Sequence, residues 1–392
     1  MKKKLFAFCV LLITMVACRK AFLPVLNDNS TGLLVVEGVI NSGADTTLIT
    51  LSRSIKLDSV NRKYEKGAAV VVESDKNDKY TLTEVAAGRY RVVGLNLPAD
   101  RKYRLHILTA GNAEYTSDFV ENKITPPIDS VTWQPDNNGV HLYMFAHDDA
   151  AKTRYYRWDY DETWTYQARY NSLYDYDEQN NKLIPRLRDS VINECYHYST
   201  PSNNIFLGST TKLSADVISR TPVGYAIATT GRLDHVYSFH VRQYALTKEA
   251  YDYWNELQQN TEKLGSIFDA LPSSSFSNLH SVNSPKEPVI GYISVSTITT
   301  KRIFIEGRTL PFFVSYRTGP NEEACRKVVL DQQPLRDFDE RLRVVMSTKE
   351  FIFTGPYDNP LTLERLGYIY APKACVDCRL QGGTIEKPPY WP

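Results

Sequence analysis

The chain has no charge imbalance of the kind that nucleic-acid-binding proteins show. Its 392 residues carry a formal net charge of +1, whereas a domain that binds DNA or RNA needs a basic patch to displace counterions from phosphates. The apolar run Leu5–Met15 is too short to span a bilayer, and no other apolar segment reaches the roughly 18 residues that a transmembrane helix needs. We therefore expect neither a nucleic-acid partner nor a membrane-spanning helix.

Motifs of the common catalytic classes are also absent. The sequence contains no His-Glu-x-x-His zinc motif, no Gly-x-Ser-x-Gly nucleophile elbow and no phosphate-binding glycine loop. His147 and Asp148 are adjacent, so on a strand they point to opposite faces and form no ready chelate. Asp159 and Asp161 share a strand face at a spacing that any acidic strand supplies. We expect a protein that is not an enzyme and that needs no metal or cofactor.

The first 18 residues predict export and lipid attachment. Lys2–Lys4 precede the apolar run Leu5–Met15, and small residues then lead to Cys18, which is the order found in secretory signal peptides. A cysteine at the cleavage position resembles the bacterial lipobox, in which the thiol is diacylated, although Met15 replaces the usual Leu or Val. The alternative is an ordinary signal peptide with an incidental cysteine. We predict a signal peptide at 1–17 and palmitate-type acylation of Cys18, because two acyl chains give stable anchoring.

Four further cysteines remain in the exported chain, and an even number in that compartment predicts two disulfides. They are Cys195, Cys325, Cys375 and Cys378. The close pair in the tail is also compatible with a redox site, which usually starts a helix, or with half of a zinc site, which needs a second close pair. The preferred pairing joins the two distant cysteines to the two tail cysteines and attaches the C-terminus to the second domain.

Residues 33–122 have the pattern of a small β-sandwich, preceded by a tether at 18–32. Short alternating segments rich in β-branched residues are separated by Gly, Asn and Asp, as in all-β domains. The predicted strands are Leu33–Ile40, Thr46–Ser52, Ala68–Glu73, Lys79–Val85, Tyr90–Leu95, Lys102–Leu108 and Glu114–Val120. Three of their motifs, Gly67–Glu73, Gly88–Val92 and Tyr103–Ile107, resemble the Ig-like domains called carboxypeptidase-regulatory-like. That resemblance implies a carrier or adaptor role.

A larger sandwich-like domain is predicted at 128–306, after a linker at 123–127 that contains Pro126 and Pro127. It includes one helix near 247–264, for which Thr247 is the expected N-cap. Residues 307–392 are rich in Pro and Gly, and we expect them to form an extended, disulfide-bonded tail packed on the second domain. The predicted fold class is mainly β.

Alternate positions of one predicted strand, residues 156–170, carry large aromatic side chains, and the intervening positions are polar. The aromatic residues are Tyr156, Trp158, Tyr160, Trp164, Tyr166 and Tyr170. The row is compatible with a core face, with a protein interface and with a platform on which sugar rings stack. We therefore treat these six residues as speculative ligand- or partner-binding candidates.

Five segments of the chain resemble the domain-of-unknown-function family 4249. They are Ala245–Trp254, Gly265–Pro272, Val289–Tyr292, Cys375–Gly383 and Lys387–Trp391. The resemblance implies an exported lipoprotein of Bacteroidota, located at the outer membrane and often encoded beside transporters energised by TonB. It assigns no activity. The first acidic residue after Cys18 is Asp28, so the acidic signal for surface export is missing and the membrane face stays open.

Together these features predict a lipid-anchored protein of the outer membrane. We expect a non-enzymatic binding or accessory subunit whose partner is an outer-membrane transporter. The alternative function is direct capture of a glycan or peptide by exposed aromatic residues.

Overall fold

The computed structural model describes residues 32–55, 62–187, 191–199, 204–262, 277–311, 323–334 and 337–392. The predicted signal peptide and Cys18 lie outside these ranges. Within them the chain forms 24 strands and two α-helices, which confirms the prediction of a mainly β protein. Neither helix has the length and apolar composition that crossing a bilayer requires.

Eight of the first nine strands overlap the seven predicted segments, because their alternation places one side chain in two inside a core, and β3 lies outside those segments. They are β1 (Leu34–Asn41), β2 (Thr46–Arg53), β3 (Lys63–Tyr64), β4 (Ala69–Ser74), β5 (Lys79–Ala86), β6 (Arg89–Val93), β7 (Lys102–Leu108), β8 (Glu114–Ser117) and β9 (Val120–Glu121). We call this part of the molecule the N-terminal sandwich. In β7 the buried side chains are Tyr103, Leu105 and Ile107, and the residues between them are partly exposed.

The next segment contains nine strands and the first helix. They are β10 (Ile128–Pro135), β11 (Gly139–His147), β12 (Tyr155–Gln167), β13 (Tyr174–Asp177), β14 (Lys182–Pro185), β15 (Glu194–Tyr198), β16 (Phe206–Ser209), β17 (Val217–Ile227), β18 (Val236–Ala245) and α1 (Lys248–Glu262). The amide of Ala250 donates to Thr247 Oγ1 at 3.2 Å, so Thr247 caps α1 as predicted.

The remaining elements are β19 (Leu279–Ser281), β20 (Ser294–Ser296), β21 (Ile298–Glu306), β22 (Val328–Asp331), α2 (Phe338–Ser347), β23 (Phe351–Asp358) and β24 (Arg365–Pro372). A three-stranded sheet of order β10-β11-β17 packs on a sheet of order β15-β12-β18-β21, in which β16 also pairs with β12. One apolar core fills the space between these two sheets. We call this unit the central sandwich.

Residues 277–297 correct the predicted domain boundary, because they return to the N-terminal sandwich. Strand β20 pairs in parallel with β1, and β19 pairs with β8. The sheet order is therefore β19-β8-β7-β4-β5-β6-β2-β1-β20, with β3 paired to β2 and β9 to β7. The returning segment also places Leu279, Val289, Ile293 and Val295 in the first core. The predicted domain 128–306 is thus wrong for this segment, whose pairing partner lies more than 200 residues earlier.

The C-terminal region is also not the extended tail that the sequence predicts. Strands β22, β24 and β23 form an antiparallel sheet, and α2 packs on it. The hairpin β13–β14 contributes Tyr174, Tyr176 and Leu183 to the same small core. The sheet is not evident from the sequence because β22 has only four residues and pairs with β24 about 40 residues later, while the β13–β14 hairpin supplies part of the core.

The predicted linker is a partly buried connection between the two sandwiches, in which Thr125 and Pro126 are buried. The amide of Thr125 donates to Thr297 Oγ1 at 2.8 Å, and Thr125 Oγ1 accepts the amide of Ala245 at 3.0 Å. The carbonyl of Pro126 accepts Gln243 Nε2 at 2.9 Å, and Gln243 Oε1 accepts the indole N–H of Trp158 at 2.8 Å. Thr125 and Pro126 in the first connection and Thr297 between β20 and β21 therefore belong to one group of hydrogen-bonded residues.

Replacing Gly291 by alanine should strongly destabilise the protein. Gly291 has φ +129°, and an added Cβ would lie 2.1 Å from the carbonyl oxygen of Val36 in β1. We expect Gly291→Ala to lower the free energy of unfolding by about 3–5 kcal/mol, since steric overlap adds to backbone strain. Chemical denaturation monitored by tryptophan fluorescence measures this change.

Gly382→Ala is the matched control. Gly382 also has a positive φ, +89°, but no atom lies within 4 Å of an added Cβ, so we expect a loss of only about 1 kcal/mol. Equal losses for the two variants would show that the returning segment does not pack closely on β1.

Candidate functional site

The first half of the aromatic row belongs to the core of the central sandwich. Tyr156 and Trp158 are completely or almost completely buried, and Tyr160 is 9% exposed. The Tyr156 hydroxyl donates to Asp216 Oδ1 at 3.0 Å, and burial raises the pKa of Tyr156. These three residues have no surface to offer a ligand. Their prediction as binding candidates is therefore wrong, because β12 lies inside the sheet and its even positions face β10, β11 and β17.

The second half of the row is half-buried and already has aromatic or cationic neighbours. The Trp164 ring stacks on His197 with centroids 5.5 Å apart, and the Arg232 guanidinium lies 4.8 Å from the Trp164 ring centre. Tyr166 meets the edge of the same histidine. Tyr170 lies beyond the end of β12, where Lys327 Nζ is 4.3 Å from its ring centre. The structure does not bring these three rings together with the first three as one platform.

One disulfide attaches the C-terminal region to the central sandwich, and a second closes a loop within the C-terminal region. Cys195 is bonded to Cys378, and Cys325 is bonded to Cys375. This is the pairing that the sequence analysis prefers, with each distant cysteine joined to one tail cysteine. All four cysteines are buried. The tail pair is consumed by these two bonds, so it provides neither a dithiol nor two zinc ligands in this state.

The last residues of the chain cover the outer face of the five-stranded sheet. The backbone of Thr384 exchanges two hydrogen bonds with Tyr196 in β15. The Trp391 ring packs edge-on against Tyr196 and Phe304 at 5.3 Å from each. The Tyr390 hydroxyl lies 2.9 Å from Thr163 Oγ1, and its ring lies under the Arg302 guanidinium at 3.7 Å. This face is therefore occupied by the chain's own C-terminus.

A ladder of alternating charges crosses the same outer face. Arg242 in β18 donates from Nε to Asp159 at 2.5 Å and from Nη1 to Asp161. Arg157 pairs with Asp159 at 3.2 Å, and His240 Nδ1 lies 3.2 Å from Asp161. Burial alone would raise the pKa of Asp161, but the hydrogen bond from His240 and the charge of Arg242 outweigh it and lower that pKa. Asp161 is therefore held as a carboxylate.

This arrangement does not provide an acid–base pair. A glycosidase-type acid needs a raised pKa so that it can donate a proton, whereas Asp161 has a lowered one. Glu162 lies on the opposite face, where it accepts the Tyr237 hydroxyl at 2.6 Å and Arg232 Nη1 at 2.5 Å. Within the described ranges, no group of three His, Cys, Asp or Glu side chains is placed to hold a metal ion.

A different row of aromatic side chains faces outward on the three-stranded sheet. Along β11 the buried residues Val140, Leu142 and Met144 alternate with His141, Tyr143 and Phe145, which are half-buried. Tyr225 of β17 lies directly opposite His141 in the register of the two strands, and their ring centroids are 4.5 Å apart. We call the surface formed by His141, Tyr143, Phe145, Tyr225 and Arg220 the aromatic face.

Polar groups fix the orientation of these rings. Asp136 Oδ2 lies 2.9 Å from His141 Nε2, and Asp136 Oδ1 accepts the Tyr225 hydroxyl at 3.0 Å. A hydrogen bond from the amide of Asn138, together with these side-chain contacts, lowers the pKa of Asp136. The Arg220 guanidinium lies 4.9 Å from the Tyr143 ring centre and bonds to Gln134. The rings are thus held in place by neighbours at the edge of the sheet.

The aromatic face is the surface that sequence reasoning missed. Tyr143, Phe145 and Tyr225 belong to none of the five hydrophobic clusters in the described chain. The sequence contains one signal for this surface, because Val140–Ala146 has apolar or aromatic residues on both strand faces. Such a strand is compatible with burial on both sides, and only the structure shows that the side chains of one side join no hydrophobic core of the described residues.

Comparison with known proteins provides a family relationship. The family model described as a domain of unknown function, DUF4249, matches residues 19–302. The match covers both sandwiches, including the segment that returns to the first one. A search of curated proteins finds no match to this chain.

Replacing Asp161 by asparagine should destabilise the protein at neutral pH, because Arg242 then loses one of its two carboxylates in a mostly buried setting. We expect Asp161→Asn to lower the free energy of unfolding by about 1–3 kcal/mol. Asp161 has a lowered pKa in the folded state, so its contribution is fully present above the unfolded value of about 4 and is lost as the pH falls below it. The difference between wild type and variant should therefore shrink in acid.

Urea denaturation at several pH values measures this difference. Asp149→Asn is the control, since the Asp149 side chain is 96% exposed, and we expect a change within about 0.5 kcal/mol. A destabilisation by Asp161→Asn that is the same at acid and neutral pH would contradict the role of the ladder.

Proposed function

Since this chain belongs to the DUF4249 family, a domain of unknown function, we propose its role from its leader sequence and its surface. It is a lipid-anchored protein of the bacterial outer membrane, and it acts as a non-enzymatic binding or accessory subunit. Its partner is a TonB-dependent transporter in the same membrane. This assignment follows the resemblance to exported lipoproteins of Bacteroidota.

The anchor is supported by the leader. Basic residues, an apolar run and small residues precede Cys18, and a diacylated cysteine provides the two lipid chains that stable membrane attachment requires. Attachment to one membrane also raises the effective concentration of two partners, so that a modest intrinsic affinity is sufficient. An accessory subunit anchored in this way needs only a small docking surface.

The aromatic face is the observation that carries the binding role. It combines Tyr143, Phe145 and Tyr225 with Arg220, and aromatic residues and arginine are enriched at protein interfaces. Its rings belong to none of the described cores, and Asp136 and Gln134 hold its polar members in fixed positions. A preorganised surface loses less conformational entropy when a partner binds.

The positions of the acidic groups support a non-enzymatic role. Asp159 and Asp161 are neutralised by arginine on the outer face of the five-stranded sheet. Glu162 is bonded to Arg232 and to the Tyr237 hydroxyl in the core. In each case the carboxylate is used to satisfy a neighbouring charge or donor, so we assign these groups to stability rather than to chemistry.

Direct capture of a glycan is the second candidate function, and the same face supports it. Planar rings stack on the apolar faces of sugars, and the side chains of Asp136, Gln134 and Arg220 lie beside the rings, where they can bond to hydroxyl groups. The two candidates differ in the molecule that the face binds. They are therefore separated by a test with purified oligosaccharides.

Replacing Cys18 by alanine should release the protein from the membrane, because no acyl chain can then be attached. We expect wild type in the outer-membrane fraction with incorporated palmitate, and Cys18→Ala without palmitate and outside that fraction. Metabolic labelling with a palmitate analogue, followed by fractionation, measures both. Cys9→Ala, which changes the leader cysteine ahead of the cleavage site, is the control and should label normally. Equal labelling of Cys18→Ala would contradict the proposed anchor.

Changing the aromatic face should remove the transporter from the purified complex. Tyr143→Ser combined with Phe145→Ser deletes two rings of the face, and we expect about tenfold less transporter after gentle solubilisation and affinity purification. Quantitative mass spectrometry of the copurified proteins measures this ratio. Tyr64→Ser combined with Tyr357→Ser is the control, since both tyrosines are exposed on other sheets.

Three outcomes can be distinguished. Loss of the transporter only with the aromatic-face variant supports the accessory role. Glycan capture is favoured instead if wild type is recovered as a lone monomer and oligosaccharides quench the tryptophan fluorescence of wild type but not that of the variant. Equal transporter recovery for both double variants would show that docking uses another surface.

A further inference from the structure

A cleft of about 500 Å³ lies where the N-terminal and central sandwiches meet. We call it the junction cleft. Its walls come from β7 to β9, from the connection between β11 and β12, from the start of α1 and from the returning segment. A second cavity of about 810 Å³ shares Lys102, Glu121, Lys123 and Lys152 with it. Clefts between domains with converging polar groups are the usual location of ligand sites.

The junction cleft is unusually basic for a nearly neutral protein. Five basic side chains line it, and three acidic ones. The basic residues are Lys102, Lys123, Lys152, Arg154 and Lys248, and the acidic residues are Asp118, Glu121 and Glu249. The five cations come from four segments of the chain, because Lys152 and Arg154 share the connection between β11 and β12, so tertiary folding brings them to one cleft.

The acidic residues offset part of this charge, and five basic against three acidic side chains leave an excess of two positive charges. Lys248 is also paired with Asp252 of α1 at 2.5 Å. Asp118 is bonded to His280 at 3.0 Å, and Glu121 is 3.9 Å from Lys123 while remaining 63% exposed. Lys102, Lys152 and Arg154 have no carboxylate within 4.0 Å anywhere in the described part of the chain.

Backbone contacts bring part of this cationic group together. Lys123 Nζ donates to the carbonyl oxygen of Lys152 at 3.3 Å, so these two lysines are neighbours. Arg154 Nη1 donates to the carbonyl oxygen of Thr210 at 3.3 Å, a contact that holds the side chain without neutralising it. An anion bound in the cleft would offset its excess of positive charge.

The wall of the cleft also has an apolar part. Tyr292 is 9% exposed and packs on Tyr253 of α1 with ring centroids 5.2 Å apart. Tyr155 packs on Tyr251 at 5.0 Å. A wall of this kind lowers the local dielectric and strengthens the attraction between the cations and a bound anion.

We infer that the junction cleft binds a small phosphate-bearing anion, with Lys102, Lys152 and Arg154 as its principal contacts. Several converging cations suit a group with multiple charged oxygens, and arginine matches the geometry of phosphate oxygens. Because Lys102 belongs to the N-terminal sandwich and the other two residues to the central one, the anion bridges the two units. This site is separate from the aromatic face, so it does not depend on the proposed accessory role.

Thermal unfolding and isothermal titration calorimetry test this inference with two soluble probes. Inorganic pyrophosphate represents a free phosphorylated ligand, and short-chain phosphatidic acid represents a lipid headgroup. Measurements are made at equal ionic strength, since exposed charges are screened by salt. At about ten times its Kd, a probe should raise the Tm of wild type by about 2 °C.

The variant Lys102→Gln with Lys152→Gln removes two of the contacts and should weaken the Kd about tenfold or more. The control, Lys76→Gln with Lys212→Gln, removes the same charge from exposed positions outside the cleft and should bind like wild type. All four lysines are exposed, so we expect both variants to fold, and their Tm without probe checks this.

The site is supported if either probe raises the Tm of wild type and of the control variant but not that of the cleft variant. The probe that gives the response identifies whether the phosphate comes from a soluble molecule or a headgroup. No response to either probe in wild type, or equal responses in the two variants, would overturn the inference.

Discussion

The rest of the structure depends on the return of residues 277–297 to the N-terminal sandwich. Strand β20 pairs in parallel with β1, and its neighbours bury Leu279, Val289 and Ile293 in the first core. The N-terminal sandwich is therefore completed only after the chain has passed through most of the central one. This pairing joins residues more than 200 positions apart in the sequence, a non-local contact of the kind that slows folding.

The two outer sheet faces of the central sandwich are covered differently. The outer face of the five-stranded sheet carries the charged ladder and is covered by Thr384–Trp391, which the Cys195–Cys378 disulfide holds nearby. The outer face of the three-stranded sheet carries the aromatic face, and its rings join none of the described cores. A row of half-buried aromatic side chains that joins no core of the described residues is a candidate surface for a partner. This asymmetry is the main structural argument for a binding role.

Much of the fold was predictable because its signals are local. The alternation of side chains gives the seven N-terminal segments, and Thr247 followed by an amphipathic stripe gives α1. The preferred cysteine pairing also agrees with the structure. The returning segment and strand β22 were not predictable, because each has only three or four residues per strand and pairs with a strand elsewhere in the chain.

The candidate sites also separate features with a local sequence signal from features that depend on distant residues. An aromatic row at alternate positions was visible in Tyr156–Tyr170, yet its first half is core and its second half packs on His197 and Lys327. The row that does face outward, Tyr143 and Phe145, lies in a strand with apolar residues on both faces. Periodicity shows that two faces exist but does not show which one another sheet covers.

The sequence by itself determined the leader pattern ahead of Cys18, the β class, the cap of α1 and the cysteines available for pairing. These properties depend on consecutive residues or on a simple count. Only the tertiary structure decided which aromatic rings lie outside the described cores, where residues 277–297 belong and which cations line the junction cleft. The physical reason is that burial and local charge are sums over neighbours in space, and here those neighbours come from segments up to hundreds of residues apart.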